Sequence, residues 1–422
     1  MSAKEAKPTL GGARIKTRKR NIAVPLDPAS FADAVIQIFI DASEEDASLV
    51  ENLDAAVKVL ETSDLDFSRY GDTLFEVIFT GGRLSTGQEK DTGGLKLDHS
   101  ILSEEANRTS LKPFFESIQQ ILRRRPFLIK NIENVLRRLL QQLEHYTTEQ
   151  QDKLAVATSL TFAMKLGLPP ENVFLVLIND VMVAKGTSLH FMTSFMKDFL
   201  SDASLDELMI LLKRGRVDDL MAFFPIQKRD SENVATHFKE NGLKAIADHE
   251  ESKRNDSRLK DLGVTLVEGI SEGTPPAQII SLVKSKKKEN NLPDSDLVQL
   301  LWFSIMEAVQ WGGKNQQQTT NAALRQVKAW AKLLGGFTTS GRLELELMNT
   351  IQVFCYEDNK LMKTFPDIIR LLYDQDVLDE ATVLTWHKKG SHVKGRGEFL
   401  KAMEPFVKWL DEAEEEESEE EG

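Results

Sequence analysis

The side chains best suited to chemistry in this sequence are carboxylates near its C-terminus. Asp374, Asp376, Asp379 and Glu380 lie within seven residues, and a longer acidic run begins at position 411. The run holds nine acidic residues and no basic ones: Asp411, Glu412, Glu414, Glu415, Glu416, Glu417, Glu419, Glu420 and Glu421. Clustered carboxylates steer lysine-rich partners and raise the association rate more than the affinity. A tail that only keeps a protein soluble has the same composition, so the charges alone leave both interpretations open.

Each acidic segment adjoins an apolar helical pattern that would hold it against a folded domain. Phe406, Trp409 and Leu410 stand at positions i, i+3 and i+4 and predict a last helix that they anchor, with Pro405 in its first turn. Trp386 follows the other acidic segment in a second apolar pattern. We therefore expect the carboxylates to be fixed at one edge of a domain.

Patterns typical of catalysis or metal binding are missing. The single cysteine, Cys355, excludes an intramolecular disulfide and a cysteine-rich zinc site, and its apolar neighbours favour a buried hydrophobic role over a nucleophilic one. No histidine pair has the spacing of a zinc-binding helix, and no phosphate-binding loop is complete. The Asp374-x-Asp376 sequence lacks the glycine of a calcium loop. We predict that the protein is not an enzyme and needs no metal or cofactor.

The formal net charge of −13 is unevenly distributed. Removing the nine negative charges of the acidic run leaves −4, whereas residues 1–20 hold seven lysines and arginines against one glutamate. Residues 1–25 are predicted to form a disordered basic arm. Its strongest cluster predicts weak, non-specific contact with RNA or the ribosome through Lys16, Arg18, Lys19 and Arg20. A nucleic-acid-binding regulator is therefore the alternative function.

The cellular compartment is predicted from the lack of a membrane span and of a signal peptide in the sequence. No apolar run approaches the length of a membrane span, and no hydrophobic region of a signal peptide follows the basic N-terminus. A chain with one cysteine suits a reducing environment. We expect a cytoplasmic protein without membrane contact.

A leucine zipper is the second route to nucleic-acid binding. Leu122, Ile129, Leu136 and Leu143 recur every seven residues beside the arginines at 123–125. A basic zipper needs one unbroken helix in which the basic region precedes the heptads. Because Pro126 follows the arginines inside the heptads, we favour packed helices of a solenoid as the explanation of these leucines.

Helical signals recur along the whole chain. Ser204 and Glu207 form a capping-box pattern ahead of an apolar run, and residues 173–184 form the longest apolar stretch, which we interpret as a buried helix. Helices of this kind joined by short polar turns predict an all-α fold. We expect two helical-repeat domains of the HEAT-like, α-α superhelix type, with disordered tails.

The composition divides the chain. All five tryptophans follow residue 300, which indicates a separate core in the second half. We predict a first helical-repeat domain over 26–235, a linker region over 236–256 and a second domain over 257–410. Residues 411–422 are predicted to be the acidic tail.

The C-terminal segments resemble a known domain. Residues 371–380, Leu-Leu-Tyr-Asp-Gln-Asp-Val-Leu-Asp-Glu, followed by Trp386, and residues 405–410, Pro-Phe-Val-Lys-Trp-Leu, followed by glutamates, look like the aromatic–acidic boxes that end translation initiation factor five. These boxes belong to the W-two domain, a helical-repeat fold. The resemblance implies that the predicted second domain is a W-two domain.

Segments in the N-terminal half restrict the resemblance to one family of W-two domain proteins. Lys7-Pro8-x-Leu10, the basic residues at 16–20 and Arg-Tyr-Gly-Asp-Thr-Leu-Phe-Glu at 69–76 resemble the basic leucine zipper and W-two domain proteins, also called initiation factor five mimic proteins. Factor five itself carries a zinc-ribbon domain that stimulates GTP hydrolysis, and a chain with one cysteine cannot build it.

The family resemblance implies a competitor of factor five. Such a protein would bind the lysine-rich segment of the initiation factor two beta subunit, and initiation factor three, without promoting hydrolysis. It would thereby restrain translation and tighten start-codon choice. The carboxylates of both acidic segments are the implied partner-binding residues, and the implied structural anchors are Tyr373, Trp386, Phe406 and Trp409.

Ser418 lies between glutamates and is predicted to be phosphorylated by an acid-directed kinase. The modification would add roughly −1.5 to −2 charge and strengthen lysine binding.

Overall fold

The structure is a computed structural model that describes residues 9–10, 13–14, 27–84 and 94–420, with the backbone alone for 9–10, 13–14 and from 413 onward. Within these ranges the regular structure is helical except for one antiparallel pair, β1 (Thr9–Leu10) and β2 (Ala13–Arg14). The all-α prediction is confirmed. The pair lies in the predicted basic arm, whereas Lys16, Arg18, Lys19 and Arg20 lie outside the described residues, so their RNA contact stays a prediction.

The chain divides into two compact units, Met1–Ala247 and Asp248–Gly422. The division falls inside a long helix, α12 (Lys244–Ser271), and within the predicted linker region. Within that region, residues 236–240 end α11, residues 241–243 form a turn, and α12 then continues from Lys244 without a glycine or proline until Gly263.

The N-terminal unit is a stack of helices in two rows. Its helices are α1 (Pro28–Ala42), α2 (Leu49–Thr62), α3 (Phe67–Thr80), α4 (Arg108–Arg124), α5 (Ile129–Gln141), α6 (Thr148–Ala163), α7 (Pro170–Phe174), α8 (Asp180–Ala184), α9 (Thr187–Phe199), α10 (Leu205–Arg214) and α11 (Ser231–Glu240). Short 3-10 turns occupy Pro126–Leu128, Leu143–His145, Leu175–Leu177, Leu220–Phe223 and Ile226–Lys228. One row packs α1, α3, α5 and α7 side by side, and the other packs α2, α4, α6 and α9. This arrangement of alternate helices is that of a helical-repeat solenoid.

Local capping fixes several helix starts. The predicted box before α10 is present: the Ser204 backbone N–H donates to Glu207 Oε2 at 3.0 Å, and the Glu207 N–H donates to Ser204 Oγ at 3.2 Å. Each bond satisfies an N–H group that the helix leaves without an internal acceptor.

The prediction of one buried helix over residues 173–184 is wrong. The stretch contains the end of α7, a 3-10 turn and α8, because the Asn179 side chain accepts hydrogen bonds from the N–H groups of Val181 and Met182 and starts a new helix. Leu175, Ile178 and Val181 are 41–50% exposed.

The zipper interpretation is also wrong. α4 ends at Arg124, Pro126 opens a 3-10 turn, and α5 runs only from Ile129 to Gln141. The heptad residues therefore lie on three elements, and Leu122, Leu136 and Leu143 are buried in the core of the unit. They pack as solenoid residues, as the position of Pro126 indicates.

The C-terminal unit has its own core. After α12 it contains α13 (Pro276–Asn290), α14 (Asp294–Glu307), α15 (Gln316–Gly335), α16 (Gly341–Tyr356), α17 (Asn359–Met362), α18 (Phe365–Tyr373), α19 (Glu380–Thr385), a π-helical segment (Trp386–Gly390) and α20 (Arg396–Glu420). Trp302 and Trp386 are fully buried in this core. Cys355 is buried too, and this burial, with a smaller effect of Asp358, raises the pKa of its thiol. Such a thiol behaves as a small apolar side chain.

The last helix differs from its prediction. α20 begins at Arg396, so Pro405 lies inside the helix and not in its first turn. Phe399, Met403 and Leu410 are buried, and this spacing turns Trp409 outward with 52% of its surface exposed. The helix also continues to Glu420, past position 411, where the sequence predicts the tail to begin.

Within the described part of the chain, no helix combines the length and the apolar character needed to cross a bilayer.

Candidate partner-binding site

The first acidic segment is a tight turn between α18 and α19. Asp376 adopts a left-handed conformation (φ 55°), and the Val377 N–H donates to the Leu372 carbonyl at 2.9 Å. Aspartate is one of the few residue types other than glycine that occupy this conformation readily. The turn buries Val377, and it leaves the side chains of Asp374 and Asp376 exposed.

The second part of the turn is fixed by a buried acid. The backbone N–H of Asp379 donates to Glu344 Oε2 of α16 at 2.7 Å, and Glu344 is 5% exposed. Asp379 occupies the N-cap position of α19 with an exposed side chain that makes no capping hydrogen bond, and Glu380 lies half-buried in the first helical turn. Negative charge is favourable at this end of a helix.

The exposed carboxylates lack an ion-pair partner in the part of the chain that the structure describes. Within the described residues, no lysine or arginine forms an ion pair with Asp374, Asp376 or Asp379. Three negative charges are thus held by a rigid backbone and remain accessible to cations of a partner.

An aromatic cluster joins this turn to α20. The ring centroid of Tyr373 lies 5.7 Å from that of Phe406 and 6.2 Å from that of Trp409, both edge-on, and Phe406 stacks on Trp409 at 5.9 Å. Tyr373 directly precedes the first acidic segment, and Trp409 lies two residues before Asp411. The cluster therefore brings the two predicted acidic segments to the same part of the unit.

The two predicted tryptophan anchors differ in environment. Trp386 is buried, and its Nε1–H donates to Gln352 Oε1 at 3.2 Å. Trp409 touches Tyr373 and Phe406 but exposes half of its surface. Trp386 is therefore part of the core of the unit, whereas Trp409 also offers an apolar face beside the carboxylates.

Gln352, which the sequence analysis did not single out, joins several parts of the site through hydrogen bonds. Its side-chain Nε2 donates to the carbonyls of His392 at 2.9 Å and Lys394 at 2.7 Å, while its Oε1 accepts from Trp386 and from the His392 N–H. Gln352 is fully buried, so these bonds satisfy its amide. The only signal in the sequence is one polar residue within the apolar run of α16.

The second acidic segment is only partly described. Asp411 and Glu412 are exposed at the surface of α20. The backbone of α20 continues through Ser418 to Glu420, and Glu421 lies beyond the described residues. The partner-binding role of this segment and the phosphorylation of Ser418 stay predictions.

Two family models match the chain, and one of them covers the candidate site. Residues 15–260 match the family described as 5MP1/2 HEAT domain, and residues 343–420 match the W2 family, described as eIF4-gamma/eIF5/eIF2-epsilon. The second match contains every residue of the acidic turn and of the aromatic cluster.

Similar proteins extend these matches to the whole chain. The chain is 32% identical to eIF5-mimic protein 2 of Gallus gallus over 419 residues, which are 99% of this chain and 98% of that protein. It is 32% identical to the Homo sapiens eIF5-mimic protein 2 over 416 residues, or 98% and 97% of the two chains. It is 33% identical to the Danio rerio eIF5-mimic protein 1 over 427 residues, or 100% and 99%. The two domains and these full-length similarities show that the chain belongs to the eIF5-mimic protein family.

Proposed function

We propose that this protein regulates translation initiation in the cytoplasm as a non-catalytic adaptor that competes with initiation factor five. Membership in the eIF5-mimic family and the W2 domain support the role in initiation. The proposed partners are the lysine-rich segment of the initiation factor two beta subunit and initiation factor three.

The observation that carries the proposal is the exposed surface formed by the acidic turn and Trp409. Lysine ammonium groups would approach Asp374, Asp376 and Asp379, which are exposed and form no ion pair with a lysine or arginine among the described residues. The aliphatic stems of the same lysines, or an ammonium group over the indole face, would contact Trp409. Exposed charges add mainly to the association rate, so the aromatic ring supplies the complementary short-range contact.

The single cysteine supports competition with factor five without stimulation of GTP hydrolysis. The chain has one cysteine, and that residue is buried in the C-terminal core. A zinc ribbon like that of factor five needs several thiolate ligands. An adaptor that occupies the same partner without this domain would hold it in a form that does not hydrolyse GTP, restraining translation and tightening start-codon selection.

The test is a titration with the lysine-rich segment of the factor two beta subunit at low and physiological salt. The variant D374N/D376N/D379N removes three charges from the turn. The matched control E44Q/E45Q/D46N removes three exposed charges from the turn between α1 and α2. We expect the first variant to weaken binding about tenfold, since exposed pairs contribute about 0.5 kcal/mol each. We expect the control to bind like the wild type.

Binding that both variants retain would contradict the assignment of the site. Binding that is absent at low salt would contradict the proposed partner. Binding that tightens as salt increases would show that apolar contacts, not the carboxylates, govern recognition.

A further inference from the structure

A basic turn of the N-terminal unit presents arginines and an aromatic ring to solvent. The arginine run that ends α4 has exposed side chains at Arg123 and Arg124. Phe127 follows on the 3-10 turn, and 53% of its surface is exposed, more than for any other phenylalanine in the described ranges. An exposed phenyl ring among cations has no role in the core of the unit.

Contacts with α2 and α3 fix the position of this turn. Leu128 is fully buried, and a Cβ placed on Gly71 of α3 would lie 2.7 Å from its Cδ2 atom, so the Leu128 side chain packs directly on the Gly71 backbone. The Arg125 guanidinium lies 4.5 Å from the centroid of the Phe67 ring and donates to the Glu61 carbonyl at 3.2 Å. The outward side chains are thus presented from a fixed support, which lowers the entropy lost on binding.

Two lysines extend the positive charge. Lys130 opens α5 with a side chain 63% exposed. Lys58 is exposed on α2. Asp54 and Glu61, which lie one turn away on either side of it, both bond to side chains of α4, so Lys58 lies on the side of α2 that faces α4. Among the described residues, two acids form ion pairs with these cations, Glu61 at 2.9 Å from Arg124 and Glu133 at 2.6 Å from Lys130, and Asp54 lies one turn from Lys58. Positive charge therefore exceeds negative charge here, although the whole chain carries −13.

We propose that this arginine turn binds single-stranded RNA. The turn comprises Lys58, Arg123, Arg124, Arg125, Phe127 and Lys130. Cations that track phosphates, together with an exposed aromatic ring on which a base stacks, are the two components of single-strand binding. An acidic peptide would engage the cations but would leave the phenyl ring without a stacking partner, so the ring favours RNA. These residues are distinct in sequence from the basic cluster at 16–20.

The test uses the full chain and a fluorescently labelled 12-nucleotide oligouridylate, with affinity measured by anisotropy across a salt series. R123Q/R124Q should weaken binding about tenfold and flatten the slope of log affinity against log salt by roughly 0.7 per lost phosphate contact. F127A should also weaken binding about tenfold by removing the stacking contact. The matched control K213Q/R214Q removes two exposed cations from α10 and should change affinity less than twofold. Unchanged thermal unfolding of each variant would confirm that it is folded.

Three results would overturn the proposal. Equal affinities for the wild type, R123Q/R124Q and F127A would exclude the turn as the site. Loss of binding only after Lys16, Arg18, Lys19 and Arg20 are changed to glutamine would assign RNA contact to the arm. Binding of a polyglutamate peptide as tightly as RNA, insensitive to F127A, would assign the turn to an acidic protein partner.

Discussion

At the residue scale, burial separates side chains that look alike in the sequence. Trp386 and Trp409 both belong to apolar helical patterns beside acidic segments, and the sequence predicts the same anchoring role for both. Their packing differs, since Trp386 fills the core, whereas Trp409 contacts Tyr373 and Phe406 and leaves half of its surface exposed. A single sequence cannot show this difference, because it depends on which side of α20 faces α18.

The two tryptophans should therefore respond differently to truncation. Trp386→Ala should destabilise the C-terminal unit by about 3–5 kcal/mol, because it leaves a large cavity and removes the hydrogen bond from Nε1 to the buried Gln352 amide. Trp409→Ala should cost less than about 1 kcal/mol, since the ring is half exposed, yet it should weaken binding of the lysine-rich segment severalfold. Denaturant unfolding followed by tryptophan fluorescence measures the first effect, because all five tryptophans lie after residue 300. Equal stability of the two variants would contradict the assigned roles.

His237 gives the N-terminal unit a pH dependence. Burial, and to a lesser extent Lys228, lower the pKa of His237 from 6.5, while Glu240 opposes the shift. The unfolded chain therefore binds the proton more readily, so this group reduces stability as the pH falls below about 6.5. Between pH 7.5 and 5.5, His237→Gln should lose less thermal stability than the wild type, measured by circular dichroism. An identical loss in both proteins would show that other groups cause the dependence.

At the element scale, the sequence predicts the helical fold well and the limits of individual helices less well. The capping box at Ser204 and the break at Pro126 are correct because their causes are local. The prediction of one helix over residues 173–184 is wrong because Asn179 caps a new helix there, and the predicted start of the last helix is wrong because the buried residues Phe399 and Met403 extend α20 ahead of Pro405. Pro405 lies mid-helix, where it withholds an N–H from the carbonyl of residue 401, an exposed position that water can satisfy.

Gly71 illustrates a packing constraint within an element. Alanine normally stabilises a helix relative to glycine by up to about 1 kcal/mol. A Cβ at Gly71 would lie 2.7 Å from Leu128 and from Asn131, so Gly71→Ala should instead destabilise the unit by about 1–3 kcal/mol. The control is Gly397→Ala in α20, where nothing lies within 4 Å of the added Cβ. Denaturant unfolding followed by circular dichroism measures both, and a stabilising Gly71→Ala would refute the close contact.

At the scale of the whole molecule, the protein combines a helical-repeat unit with a W2-containing unit that displays carboxylates. The sequence shows the composition of the acidic segments and their flanking aromatics. It does not show that Tyr373 meets Phe406 and Trp409, because those contacts join residues more than thirty positions apart. It also misses Gln352 and Glu344, whose buried polar groups fix the site from α16. Local patterns therefore locate the candidate site, and long-range packing determines its surface.

The proposed function requires that this protein and initiation factor five compete for the same binding segment of one partner. The most direct measurement follows the fluorescently labelled C-terminal domain of factor five bound to the lysine-rich segment of the factor two beta subunit while unlabelled full-length protein is added. We predict complete displacement by the wild type and displacement by D374N/D376N/D379N only at about tenfold higher concentration. Simultaneous binding of both proteins to the segment, with no release of the labelled domain, would contradict the competitor mechanism.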